Sequence, residues 1–168
     1  MRRLGLIILI GLAVVLQVSF LPALRPLGVV PNSVLVMVVL CALYIATSEA
    51  LVAAAICGLL LDLASGANFG LWTGVLLLAT LGIGMLHRSG IELDRVVVAP
   101  ALVGVGTLVT ASVIWLGMAA SIARFPLTDL IGRLVIELMI NLALTMLLRP
   151  VVRATLVGRR RQFESGGA

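Results

Sequence analysis

The chain has 168 residues, 62% hydrophobic and 11% charged, with 12 basic side chains against 7 acidic ones for a formal charge of +5. A soluble domain of this size carries about a quarter charged residues. A mean hydropathy of +1.26 and apolar blocks near the roughly 20 residues that cross a bilayer therefore point to an all-α polytopic membrane protein. A transmembrane β-barrel is excluded too, because its strands alternate apolar and polar residues and these runs do not.

Six transmembrane helices are predicted, in a transmembrane domain of residues 1–157. The first covers Leu4–Leu21. Its Met1-Arg2-Arg3 start resembles a signal peptide, but the apolar stretch is too long and no A-x-A-like cleavage site follows, so it reads as an anchor. The second and third, Asn32–Ala46 and Glu49–Ala64, are short. They read as a tight helical hairpin turning at Thr47-Ser48-Glu49, with a re-entrant pair as the alternative. Gly70–His87, Val96–Ile122 and Asp129–Leu156 complete the set. The remainder, residues 158–168, is a basic, disordered tail.

All 12 basic residues are arginines. With the N-terminus inside, Arg2, Arg3, Arg88, Arg95, Arg153 and Arg159-Arg160-Arg161 fall on the inner side, and only Arg25 and Arg124 on the outer. That asymmetry predicts a multi-pass protein with both termini cytoplasmic. The aromatic residues Phe20, Phe69, Trp72, Trp115 and Phe125 then lie near the outer interface. A pI near 11.0 raises nucleic acid as a partner, but these arginines sit at membrane edges, where topology and the headgroups of membrane lipids account for them, so no nucleic acid is expected. The loop His87–Arg95 mixes both signs and reads either as a solvated turn or as a contact surface for a cytoplasmic partner.

One stretch, GLLLDLASGANFG (residues 58–70), places a carboxylate, Asp62, inside an apolar run. Such a group costs a few kcal/mol unless it is partnered. Counting back by fours gives Gly58, Ala54, Ala50 and Ala46, a small-residue face suited to close helix packing. Counting forward gives Gly66, Gly70 and Gly74, which carry the spacing into the fourth span and permit a sharp turn at Ser65–Phe69. In the last span Asp129, Arg133, Glu137 and Asn141 recur every four residues. Each such step drifts about 40°, so the four occupy roughly 120° of one face, expected to point into the bundle. Arg133 matches Asp62 in depth and is the expected partner, with Asn32 near the same level. Three readings of this intramembrane polar cluster stay open: structural glue, a cavity for a solute or protons, or a surface that docks another protein's transmembrane helix.

The catalytic inventory is thin. His87 is a lone histidine at a membrane edge, Cys41 and Cys57 are single residues in apolar runs that behave as small hydrophobes, and no C-x-x-C, H-E-x-x-H or phosphate loop occurs. Neither an enzyme nor a cofactor or metal is expected.

Residues 58–70 resemble the G-x-x-x-D-L-x-S-G-x-x-x-G segment of the MreD family of rod shape-determining membrane proteins. PNSVLVMVVLCALY (31–44) resembles the family's Pro-Asn start of the second span, and NLALTMLLRPVVR (141–153) its last span. Size, span number and the short basic tail agree. The pair Arg133 and Glu137 has no fixed counterpart there. The resemblance implies a non-enzymatic scaffold of the elongasome in the bacterial cytoplasmic (inner) membrane, regulating peptidoglycan synthesis and rod cell shape. It implies a direct partner, MreC, and in the same assembly RodA, its class B penicillin-binding protein and MreB filaments. It also implies a fold similar to the S component of energy-coupling-factor transporters, which keeps a second function open: a solute-binding subunit of a vitamin-type transporter.

Overall fold

A computed structural model describes residues 2–24, 29–65, 69–89, 98–119 and 127–156, apart from the side chains of residues 2–4, 20, 24, 113–119 and 127–130. The expectations that fall on Gly66, on the side chain of Asp129, on most of the loop after His87 and on the tail 158–168 lie outside the described residues. Among the described residues the protein is helical, with no strand. The helices form six rods. The first is α1 (Arg2–Val15), running through a π turn (Leu16–Phe20) into α2 (Leu21–Leu24); then follow α3 (Ser33–Tyr44), α4 (Thr47–Ser65), α5 (Leu71–Arg88), α6 (Val98–Ala119) and α7 (Leu127–Leu156). Among the described residues, four stretches are long and apolar enough to cross a membrane: Gly5–Ala23, Thr47–Ser65, Leu71–Arg88 and Ile131–Leu156.

The π turn sits just ahead of Pro22. A proline has no N–H to give, and its ring crowds the carbonyl four residues back. In the widened turn the N–H of Leu21 reaches the carbonyl of Leu16, five residues back, which makes room for the ring.

α3 is the centre of the bundle. It packs against α1, α4, α5, α6 and α7, and every residue from Ser33 to Ala42 is buried. A helix apolar on all sides belongs in an interior. Its 12 residues span only about 18 Å, short of a bilayer's roughly 30 Å. The second predicted span, Asn32–Ala46, is helical over Ser33–Tyr44, and a non-helical stretch, 29–32, with Val29, Pro31 and Asn32 buried, precedes it. Pro31 accounts for where the helix starts, because the residue before a proline is held out of the helical region. The expected α3–α4 hairpin turns at Ile45-Ala46, but the main partner of α4 is α5.

That α4–α5 contact is a close one, set by two glycines. A Cβ on Gly58 would lie 2.3 Å from Thr73 Cα, and one on Gly84 would lie 2.5 Å from Thr47 Cγ2. Thr47 and Gly58 stand 11 residues apart, as do Thr73 and Gly84. Eleven residues are almost three whole turns, so both pairs belong to one antiparallel register.

Candidate functional site

The buried polar groups fall into two clusters rather than one. The first surrounds Asp62, which is 1% exposed. Its Oδ1 accepts the N–H of Trp72 (2.9 Å), and its Oδ2 accepts the N–H (3.1 Å) and hydroxyl (2.6 Å) of Thr73. These are donors in the first turn of α5, which has no partner for them within the helix. The N-cap residue of α5 is Gly70, at φ 94°, with no side chain to cap its own helix. Asp62 supplies the cap from the preceding helix instead, with its charge at the positive end of the α5 dipole. Gly70 permits the left-handed turn, and Gly58, one turn below Asp62, lets the α5 backbone come close enough. The motif spacing thus encodes a helical hairpin joined at its turn.

The predicted pairing of Asp62 with Arg133 is not formed. Arg133 is exposed, Asp62 takes its hydrogen bonds from α5, and α4 and α7 have no packed interface. The single polar face of α7 is likewise corrected. Arg133 is exposed, Glu137 half-buried and Asn141 buried. The drift of about 40° per step carries the stripe from the outside of the bundle into its core.

The second cluster gathers at the start of α3. Asn32, 2% exposed, caps this helix by accepting the N–H of Leu35 on Oδ1 (3.0 Å). Its own N–H donates to Asn141 Oδ1 (2.9 Å), and Asn141 Nδ2 donates to the Thr107 hydroxyl (3.1 Å). From the other side Gln17 Oε1, carried on the π turn, accepts both the N–H (2.7 Å) and the hydroxyl (2.8 Å) of Ser33. Asn141 is the fifteenth residue of the 30-residue α7, so α3 begins at mid-height in the bundle. At its far end Arg149 Nε donates to Tyr44 Oη (3.3 Å).

Of the residues singled out in the sequence, Asn32 and Asn141 meet, and Asp62 stands apart with Gly58 and Gly70. Ala50, Ala54 and Gly58 are buried on α4 as expected. Gly74 is not a contact residue: a Cβ there would meet nothing within 4 Å. Sequence reasoning missed Gln17, Ser33, Thr107, Thr73 and Gly84. The signal for Gln17 and Thr107 was the one used for Asp62, a polar residue interrupting an apolar run. Thr73 and Gly84 give no such signal, because threonine and glycine are common in membrane helices.

Two cavities adjoin this framework. One, of about 230 Å³, is bordered by Gln17, Val18, Pro22, Val30, Leu61, Ala64, Ser65 and Trp72. The other, about 280 Å³, is an apolar groove between α5 and α6 with Val39 of α3 at its base. Among the described residues, no group of three His, Cys, Asp or Glu is placed to hold a metal ion. In comparisons with protein families, curated proteins and solved structures, nothing matches this chain.

Proposed function

We propose that this protein is an MreD-like scaffold of the elongasome, a non-enzymatic membrane protein that binds the single transmembrane helix of MreC and regulates lateral peptidoglycan synthesis. The observation that carries the reading is the use made of residues 58–70. The segment with the most specific resemblance to MreD is the one whose Gly58, Asp62 and Gly70 build the α4–α5 hairpin. Helix faces rich in exposed apolar side chains, such as Leu78, Leu81 and Met85 on α5, offer surface for membrane-level contact with a partner helix. The transporter reading asked for one wet pocket at Asp62, Arg133, Glu137 and Asn141, and those residues are not gathered into one.

The test is co-expression with the MreC of the same organism, followed by co-purification in detergent. The scaffold reading expects a monodisperse complex that survives deletion of MreC's periplasmic coiled coil and fails when MreC's transmembrane helix is exchanged for an unrelated one. A complex indifferent to that exchange, or no complex with a well-folded protein, overturns it.

A further inference from the structure

We infer that the cavity bordered by Gln17, Val18, Pro22, Val30, Leu61 and Trp72 binds the oxygen-bearing end of a membrane amphiphile, through the free amide N–H group of Gln17 beside the start of α3. The chemistry of the two amides carries this. A backbone N–H needs an acceptor, so the bond from Ser33 N–H fixes which end of the Gln17 amide is oxygen, and the bond from Leu35 N–H does the same for Asn32. Both oxygens are then occupied and both NH2 groups are left over. Asn32 Nδ2 is shut off from solvent and has no hydrogen-bond partner among the described residues. Gln17 Nε2 has no acceptor among the described residues, and Gln17 borders the cavity. Asn32 lies between Val30, on the cavity wall, and Ser33, which holds Gln17.

Asn141 Oδ1 takes the Asn32 N–H, and both carboxylate oxygens of Asp62 take donors from α5. The free Gln17 amide donor, beside the positive end of a buried helix, suits an oxygen acceptor such as a phosphate or an ester carbonyl. The walls select an amphiphile over a water-soluble anion: Val18, Pro22, Val30 and Leu61 are apolar. Val18, Ala64 and Ser65 are exposed, so the cavity opens to the surface. This site is independent of the scaffold reading.

The full-length protein in detergent would be titrated with phosphatidylglycerol, and separately with inorganic phosphate, while retention is followed by native mass spectrometry and stability by thermal unfolding. Wild type should retain one phosphatidylglycerol and unfold at a higher temperature with it. Gln17→Glu keeps an oxygen for Ser33 but replaces the free donor with an anionic oxygen, and should weaken retention about tenfold or more. Ala64→Trp fills the cavity without touching the α3 cap and should also abolish retention, so the test stands even if Gln17→Glu fails to fold. Equal retention by wild type and by folded variants overturns the site. So does a wild type that retains no lipid, which would leave water as the occupant. Retention of inorganic phosphate but not of the lipid, lost in Gln17→Glu, assigns the donors to a soluble anion and overturns the amphiphile.

Discussion

At the scale of single residues, the question is how an apolar bundle keeps a carboxylate. Removing Asp62 from water costs several kcal/mol, and hydrogen bonds from Trp72 and Thr73 at the positive end of a helix offset that cost, with no counter-ion among the described residues. Asp62→Ala would leave the Trp72 and Thr73 N–H groups unsatisfied and should destabilise by about 2 kcal/mol or more. Asp62→Asn keeps one acceptor but turns an NH2 toward a donor, and Thr73→Val removes only the hydroxyl; each should cost about 1 kcal/mol. Arg133→Gln, at an exposed site, should stay within about 0.5 kcal/mol. The Asp62→Asn, Arg133→Gln double mutant should be additive, and thermal unfolding in detergent measures all five variants. A coupling above about 0.5 kcal/mol would restore the ion pair that depth alone suggested. The sequence shows that Asp62 needs a partner, but it hides this one. Backbone N–H groups at a helix start belong to every sequence and are named by no letter, whereas Arg133 is conspicuous.

The α4–α5 hairpin shows how far periodicity reads at the scale of elements. Small residues every four positions do mark the buried face of α4 through Ala50, Ala54 and Gly58. The count fails when carried across the turn to Gly74, because the non-helical residues at the turn reset the helical phase. α5 meets α4 through Thr73 and Gly84 instead. Gly58→Ala should therefore drive a methyl group into the Thr73 backbone and cost about 1–3 kcal/mol or more. Gly74→Ala, in open space inside a helix, should be neutral or stabilise by about 0.4–1 kcal/mol. The register itself is checked with Thr47→Cys and Gly84→Cys in a background lacking Cys41 and Cys57. A Cβ on Gly84 would lie 3.5 Å from Thr47 Cβ, within the separation a disulfide requires. The pair should cross-link on mild oxidation, and a Thr47→Cys, Gly82→Cys control should not. The short α3 is the other limit on legibility. Its bounds were read to within two residues, with Pro31 and Asn32 marking its start, but an apolar run does not reveal that the helix lies inside the bundle on all sides.

For the whole molecule, the order of passes follows from which ends meet. A Cβ on Gly5 would lie 3.0 Å from Thr155, so the first rod begins where the last one finishes. Tyr44 meets Arg149, and Thr47 meets Gly84, which places the end of α3, the start of α4 and the end of α5 in the same half of the bundle. Asp62 and Trp72 mark the opposite end of the α4–α5 hairpin. The number of helices among the described residues was therefore legible in the apolar runs, whereas the central place of α3 was not, since burial on all sides and exposure to lipid select the same residue types. Arg88, Arg149 and Arg153 lie toward the end shared by Gly5 and Thr155, and that excess predicts a cytoplasmic location for it. α5 offers the sharpest check, because its 18 residues, about 27 Å long, join Phe69 and Ser89, both exposed. With Cys41 and Cys57 replaced by alanine, Phe69→Cys should react with a membrane-impermeant maleimide once the periplasmic side is accessible, while the inner membrane is intact. Ser89→Cys should react only after the membrane is opened. The reverse order would invert the molecule in the membrane. Labelling of both from one side would mean that α5 does not cross, and the six-pass arrangement would fall with it.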